Sequence, residues 1–234
     1  MKLLISLVLL SLPIISWAQF KNESEFSTVA TGGNSEVETY LAKTSSDYAW
    51  DMNAIKLGGH YTYGESSNTV SARDWDVNTK YDRFLTERFA LTFGQLTEGY
   101  RFQGIKARYN ADAGVKYFWL KSDAKNFFSE LGYRYTIEDR YSPDENQYSN
   151  KARAYAEWNH KYSETFQYKF WAEYVPNFSQ SKDYLAIYEA SLTSILTSMF
   201  SLKVAYRGMY DNVPGIAGNK NYDYTYTTSL VAKF

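Results

Sequence analysis

Apolar and polar residues alternate along most of the chain, and the alternation is most regular at its C-terminal end. Between Tyr222 and Phe234 the even positions carry three tyrosines, then Thr, Leu, Ala and Phe, whereas the odd positions carry Asp, Thr, Thr, Ser, Val and Lys. Successive side chains of a β-strand point to opposite faces, so this period of two predicts a strand with one apolar and one polar face.

The same pattern recurs between turn signals along the chain, and no segment shows a convincing helical period. The sequence therefore predicts an all-β fold built from twelve strands. The predicted strands are 23–31, 37–50, 54–63, 73–84, 89–100, 107–120, 127–139, 151–162, 166–175, 183–196, 200–210 and 222–234.

The connections between these strands alternate in length. The mostly tight turns are 51–53, 85–88, 121–126, 163–165 and 197–199, and the mostly longer loops are 64–72, 101–106, 140–150, 177–182 and 211–221, with 32–36 as a short exception. This asymmetry is typical of a transmembrane antiparallel up-and-down β-barrel of the outer membrane, in which an even number of strands places both termini on the periplasmic side. A soluble β-sandwich shares the alternation but gives no reason for the difference in length.

The composition agrees with a barrel wall that faces lipid. The chain has 23 Tyr, 14 Phe and 6 Trp, yet its mean hydropathy is −0.49, as expected when every second residue faces lipid and the others face water. The aromatic residues are predicted to form two belts at the membrane interfaces. The belt near the turns comprises Trp50, Tyr81, Trp119, Phe127, Trp158, Tyr162, Phe166, Phe200 and Phe234, and the belt near the loops comprises Tyr61, Tyr63, Tyr109, Tyr135, Tyr174, Tyr184, Tyr206 and Tyr222.

The N-terminal segment has the features of a secretory signal peptide. A basic start at Lys2 precedes an apolar run that contains Pro13 and is too short to span a bilayer comfortably, and small residues precede the expected cleavage after Ala18. We therefore expect residues 1–18 to be a signal peptide and residues 19–234 to form the barrel domain. The absence of cysteine excludes lipoprotein attachment and disulfides.

The last predicted strand also resembles an assembly signal. Its outward positions are Tyr226, Thr228, Leu230, Ala232 and Phe234. A C-terminal strand that ends in Phe, with apolar residues at alternate positions, resembles the signal that is read by the outer-membrane barrel assembly machinery. The resemblance implies that machinery and outer-membrane lipid as partners, whereas a net charge of −1 gives no indication of nucleic-acid binding.

Several short motifs resemble those of one protein family, in the same order along nearly the whole mature chain. The motifs are Thr31-Gly32-Gly33-Asn34-Ser35-Glu36, Tyr63-Gly64-Glu65-Ser66, Arg73-Asp74-Trp75-Asp76, Lys80-Tyr81-Asp82-Arg83, Glu173-Tyr174-Val175-Pro176-Asn177 and Tyr210-Asp211-Asn212-Val213-Pro214-Gly215. They resemble the YdiY-like, salt-induced outer-membrane proteins, a domain of unknown function. The resemblance implies a barrel in the outer membrane of a Gram-negative bacterium, and it implies no established substrate.

The sequence offers little catalytic chemistry. Strand parity points His60 into the lumen and His160 towards lipid near the periplasmic turns, so the two histidines are not expected to share a site. His60 has Thr62 on the same face, but a barrel lipid hydrolase needs a His–Ser pair that faces the membrane. We therefore expect no catalytic residues and no cofactor. We also expect no metal site, because the spacing typical of metal ligands is absent.

Charged residues on the inward face predict a ladder of ion pairs in the lumen. In one antiparallel register Glu138 stands opposite Arg153, Arg134 opposite Glu157 and Glu130 opposite Lys161, and opposite charges across a ladder support register. The alternative is the mixed charge of any wet lumen. Further inward candidates are Asp112, Lys116, Lys169, Glu173, Glu189, Lys203 and Arg207.

Twelve strands lie between the filled eight-stranded barrels and the open sixteen-stranded channels, so the expected pore is narrow or plugged. Three functions remain. The first is a non-catalytic envelope protein that conducts small polar solutes or ions under envelope or osmotic stress. The second is a structural barrel that conducts nothing. The third, and least favoured, is a lipid-modifying enzyme.

Overall fold

The computed structural model describes residues 20–31, 37–142, 145–216 and 218–234, so the predicted signal peptide lies outside the described residues. All twelve predicted strands are present. They are β1 (Phe20–Thr31), β2 (Val37–Trp50), β3 (Asn53–Ser66), β4 (Thr69–Phe84), β5 (Phe89–Tyr100), β6 (Ile105–Lys121), β7 (Lys125–Arg140), β8 (Asn146–Lys161), β9 (Phe166–Pro176), β10 (Tyr184–Ile195), β11 (Phe200–Asp211) and β12 (Tyr222–Lys233).

The strands form one closed antiparallel barrel. Each strand pairs with its neighbours in sequence, and β1 pairs with β12 to close the ring. This up-and-down topology confirms the predicted all-β, twelve-stranded antiparallel barrel and excludes the sandwich. Among the described residues, no helix is long and apolar enough to cross a membrane.

The distribution of apolar and polar side chains is the inverse of that in a soluble protein. On β7 the outward-facing Leu131 is 63% exposed, whereas the inward-facing Glu130, Arg134 and Glu138 are only 2%, 5% and 6% exposed. The strand parity inferred from the sequence therefore holds on this strand. An apolar exterior around a polar interior is the arrangement found in membrane barrels.

Both described chain ends lie at the rim that carries the short turns. The backbones of Asn22 and Phe234 exchange two hydrogen bonds of 2.9 Å, and Phe20 pairs with Tyr48, close to the turn between β2 and β3. We call this end the turn rim and the opposite end the loop rim.

One predicted loop at the loop rim is wrong. The segment 64–72 is not a loop, because β3 continues to Ser66 and β4 starts at Thr69. The two strands are joined by Ser67 and Asn68, whose φ angles are 50° and 61°. Positive φ at both central residues is typical of a tight hairpin turn, and asparagine tolerates it well. Apart from Ser67 and Asn68, the polar residues that suggest a loop are therefore strand residues.

Candidate functional site: the charged wall of the lumen

A cavity of about 1560 Å³ runs inside the barrel. At the turn rim its lining includes Lys121 and Asp123, and at the loop rim it includes Gln103, Asn219 and Lys220. The cavity therefore extends from one end of the barrel to the other.

The predicted ion-pair ladder between β7 and β8 is wrong in register. In the structure Glu130 stands opposite Tyr155, Arg134 opposite Lys151 and Glu138 opposite Gln147. The predicted partners, which are Arg153, Glu157 and Lys161, are each displaced by six residues along β8. The cause is that β8 begins at Asn146 instead of residue 151, which shortens the connection and shifts the pairing. The displacement is an even number, so the six side chains keep their inward parity, as predicted. Five of them line the cavity, and the sixth, Glu138, is buried.

The three β7 residues find opposite charges on their other neighbour, β6. Glu130 is paired with Lys116, Arg134 with Asp112 and Glu138 with Arg108. The shortest N–O distances in these pairs are 3.3 Å, 2.7 Å and 2.6 Å, respectively. Sequence reasoning identified Asp112 and Lys116 as inward-facing but missed Arg108. The signal that could have identified Arg108 is the shared spacing of four residues on the two strands.

Glu130 is the centre of this wall. Its carboxylate accepts hydrogen bonds from Lys80 and from Arg153 Nη1, the latter at 2.8 Å, and it lies 3.3 Å from the Lys116 ammonium group. Three cations thus surround one carboxylate that is almost fully buried. Removing this single negative charge would leave three neighbouring positive charges without their shared partner.

The network continues around the wall to β9. The Arg153 guanidinium donates to Glu173 at 2.7 Å, and Arg134 Nη1 donates to the other oxygen of Glu173 at 3.1 Å. The whole group contains four cations and four carboxylates, so its formal charges balance. Its members are Lys80, Lys116, Arg134, Arg153, Asp82, Asp112, Glu130 and Glu173.

Two glycines make room for this network. Gly114 and Gly132 face each other in the β6–β7 ladder between two of the ion pairs. A Cβ atom on Gly114 would lie 2.4 Å from the Leu131 carbonyl oxygen, and one on Gly132 would lie 2.7 Å from the Ala113 carbonyl oxygen. Arg153 stands opposite Gly132 on β8, so the missing side chains leave the inner surface open where its guanidinium reaches Glu130.

A second polar cluster lies nearer the loop rim. Arg108 Nε donates to Glu138 at 2.6 Å and its Nη1 donates to Glu98 at 3.4 Å. Glu98 also accepts hydrogen bonds from Asn110 at 3.0 Å and from the Tyr100 hydroxyl at 3.2 Å. The side chains on β5, β6 and β7 are thereby fixed against the wall.

Three other inward candidates, Lys169, Glu189 and Lys203, also form ion pairs. Lys203 lies 3.0 Å from Glu25 and 3.5 Å from Glu189, and Lys169 lies 2.9 Å from Glu157. All five residues line the cavity, as does Arg207.

The two histidines lie on opposite faces of the wall, as predicted. His60 shares the inward parity of Thr62 on β3 and is hydrogen-bonded to Asp76, whereas His160 shares the outward parity of Trp158 on β8. His160 is hydrogen-bonded to Tyr168 and packs edge-on against Trp158 and Tyr162. In the described part of the chain, His and acidic side chains form no cluster of three that could hold a metal ion.

One loop crosses the mouth of the barrel at the loop rim. The connection between β11 and β12 reaches the connection between β5 and β6, which lies six strands away and therefore on the opposite side of the ring. Asn219 Nδ2 donates to the Phe102 carbonyl at 3.2 Å, and Gln103 Nε2 donates to Asp223 at 3.3 Å. Ile216 packs so close to Gly104 that a Cβ there would lie 2.8 Å from its Cγ1.

The predicted assembly-signal residues lie on the outer face of β12. Tyr226 is 71% exposed, Leu230 is 49% exposed and Phe234 is 63% exposed, and Thr228 and Ala232 share their parity. Their recognition by the assembly machinery stays a prediction.

A sequence model of the DUF481 family, described as proteins of unknown function, matches residues 24–234. This chain belongs to the DUF481 family. A search of the curated proteins found no match. The membership agrees with the resemblance seen in the sequence motifs, and it brings no assigned activity.

Solved structures share the fold of this DUF481 protein. The COG4313 outer membrane channel from Pseudomonas putida F1 is similar with a TM-score of 0.55 and 9% identity, over 92% of this chain and 95% of that one. The NanC porin is similar with a TM-score of 0.52 and 12% identity, over 91% of this chain and 97% of that one. The barrel thus resembles bacterial outer-membrane porins and channels in fold.

Proposed function

We propose that this DUF481 protein is a non-catalytic barrel of the Gram-negative outer membrane that conducts small polar solutes or ions through a narrow lumen. The observation that carries this proposal is the cavity that reaches both rims and is lined by charged side chains of both signs. The similar fold of a porin and an outer-membrane channel supports it.

Two features make the lumen narrow. The first is the network of four cations and four carboxylates on β4 to β9, whose ion pairs hold the side chains in place. These side chains occupy part of the lumen, which is small because the barrel has only twelve strands. At the loop rim, the β11–β12 connection crosses the mouth and is fastened to the opposite side by Asn219 and Gln103. Solutes therefore have to pass this loop and then the ion-pair wall.

The proposed placement is supported by the position of the first and last described strands in the barrel. The turn rim, with Asn22 and Phe234 side by side, faces the periplasm, and the loop rim faces the exterior. Export uses the segment 1–18 as a signal peptide, and the barrel assembly machinery recognises the outward residues of β12. Expression under envelope or osmotic stress fits a conductor of small solutes.

Loop shortening tests this function. Replacing residues 213–220 by two glycines removes the part of the loop that crosses the mouth, and single-channel conductance in planar bilayers is expected to rise. The matched control replaces residues 179–182, in the β9–β10 connection at the same rim, by two glycines and is expected to leave conductance unchanged. Equal conductance in wild type and both variants would contradict a constriction at the mouth.

The second candidate is a structural barrel that conducts nothing. The fastened β11–β12 loop and the densely paired wall favour it. This candidate predicts no current from either the wild type or the loop-shortened protein, so the same recording separates the two functions.

A further inference from the structure

The seam that closes the barrel is paired over only part of its length. The β1–β12 ladder has four residue pairs, from Glu23–Lys233 to Phe26–Leu230, whereas every other seam has at least the eight pairs seen between β8 and β9. Beyond Phe26, the described part of β1 pairs with β2 alone, and the upper part of β12 pairs with β11 alone. The unpaired half of the seam lies towards the loop rim.

An interrupted ladder is unusual at membrane depth, because unpaired backbone groups are costly in hydrocarbon. At the point of interruption a side chain replaces the missing ladder bond. The Ser27 hydroxyl donates a hydrogen bond of 2.7 Å to the Thr228 carbonyl. The paired half of the seam thus ends at a specific contact.

The lumen extends to the level of this gap. The cavity is lined by Val29 on β1 and by the inward-facing Thr225 and Thr227 on β12. Val29 faces inward and is still 52% exposed. The cavity therefore borders the unpaired edges of both strands.

Two apolar side chains line the cavity beside the gap. Val29 on β1 and Leu41 on β2 both face inward, and their strands are paired along this stretch. The ion-pair network of β4 to β9 lies across the lumen from the seam. An acyl chain that enters at the gap therefore meets Val29 and Leu41 first.

A lysine for which the described residues show no ion pair lies next to Leu41 on the inward face of β2. Lys43 stands opposite Glu25 in the β1–β2 ladder, but the Glu25 carboxylate is held by Lys203 at 3.0 Å and by Ser229 at 2.7 Å. Lys43 lines the cavity, and among the described residues it makes no salt bridge within 4.0 Å. A cation in this position is complementary to an anionic head group.

We propose that the unpaired half of the β1–β12 seam is a lateral portal through which a single-chain anionic amphiphile moves between the membrane and the lumen. Its head group binds Lys43 and its tail lies along Leu41 and Val29 towards the gap. The portal goes beyond axial conduction of polar solutes, and it rests on the proposed placement of the barrel in a membrane.

A disulfide lock tests the portal, and the chain has no cysteine of its own. The double variant Thr28→Cys, Thr228→Cys places two cysteines at outward positions on either side of the gap. After assembly they are oxidised to a disulfide, or they are cross-linked with a short bismaleimide if the gap is too wide for a disulfide. The matched control, Val204→Cys with Thr228→Cys, joins a pair across the closed β11–β12 seam. Each protein in nanodiscs is exposed to a dodecanoate with a photoreactive tail, and the labelled residues are mapped by mass spectrometry.

The expected labels in the unlocked protein lie on Val29 and Leu41. Locking the β1–β12 seam should reduce these labels at least tenfold, whereas the control lock should leave them unchanged. Lys43→Gln should weaken labelling by about tenfold, the effect of one lost charge-assisted hydrogen bond, and a dodecylammonium probe should label the inner wall poorly. Labels confined to outward residues, or inner labels that survive the lock, would overturn the portal.

Conductance of the locked protein separates this proposal from axial conduction. A locked barrel that conducts as the unlocked one does shows that ions follow the axis. If no protein conducts but the inner labels still depend on the lock, the channel function fails and the portal stands.

Discussion

Arg134 holds Asp112 across the β6–β7 ladder through two parallel hydrogen bonds, from Nε to Oδ1 at 2.7 Å and from Nη2 to Oδ2 at 2.8 Å. A bidentate pair of this kind fixes geometry as well as charge. The third contact of Arg134, to Glu173 on β9, connects strands that do not pair with each other. The inner wall is therefore a connected structure and not a set of separate pairs.

A double-mutant cycle tests which partner Arg134 has. Single and double alanine substitutions at Asp112 and Arg134 should give a coupling energy of about 0.5–3 kcal/mol, as for residues in direct contact. The same cycle for Arg134 and Glu157, the pair expected from charge pattern alone, should give a value near zero. Urea unfolding of the refolded barrel in lipid vesicles measures both, and a larger coupling for Arg134–Glu157 would contradict the observed register.

Glu130→Gln should destabilise the barrel strongly, because it leaves Lys80, Lys116 and Arg153 without their shared carboxylate. Breaking a buried ion pair on one side typically costs about 3–5 kcal/mol. The control is Asp47→Asn at the turn rim. Asp47 lies 3.7 Å from Lys56 and both side chains are about half exposed, so the expected loss of unfolding free energy is about 0–1 kcal/mol. Equal losses of unfolding free energy in the two variants would show that solvent screens the ion pairs of the lumen wall as strongly as the exposed pair at the turn rim.

Gly114→Ala should impair packing of the β6–β7 wall, since its Cβ would collide with the Leu131 carbonyl oxygen. Overpacking of this kind costs about 1–3 kcal/mol. Gly94→Ala is the matched control, because this inward-facing glycine has no atom closer than 3.6 Å to the Cβ position. Heat-modifiable gel migration and urea unfolding measure the difference, and the prediction fails if the two variants are equally stable.

Deleting Phe234 should reduce assembly more than stability. The loss of one ring's burial accounts for about 1.5–3 kcal/mol at most, whereas the loss of the terminal aromatic residue also removes the end of the expected assembly signal. Phe200→Ala removes another outward ring near the same rim without changing the terminus. The test compares the amount of each variant in the outer membrane with its unfolding free energy after refolding. Normal outer-membrane levels of the truncated protein would show that Phe234 is only an interfacial anchor.

The sequence predicted the strands well because a period of two is repeated over long segments, and this period also assigns each side chain to a face. It predicted register poorly. Parity restricts pairing only to every second register. In the observed β7–β8 register Arg134 stands opposite Lys151, and its carboxylate partner Asp112 lies on β6 instead. Charge complementarity across the β7–β8 seam alone therefore selected the wrong register.

Contacts that depend on closure of the ring could not be predicted from the sequence. Gly104 and Ile216 meet only because their loops lie on opposite sides of the same mouth. The interruption of the β1–β12 ladder after Phe26 and Leu230 is likewise not predictable from β12, whose alternation of polar inward and aromatic outward residues continues at Thr225 and Tyr226.

Single-channel recording with a salt gradient tests the central claim most directly. Wild-type protein in planar bilayers should show small, discrete current steps and a reversal potential near zero, because the charges of the wall balance. Glu130→Gln should shift the reversal potential towards anion selectivity, since three cations then face the lumen with one carboxylate fewer. Absence of current steps in the wild type and in the protein shortened at residues 213–220 would contradict the account.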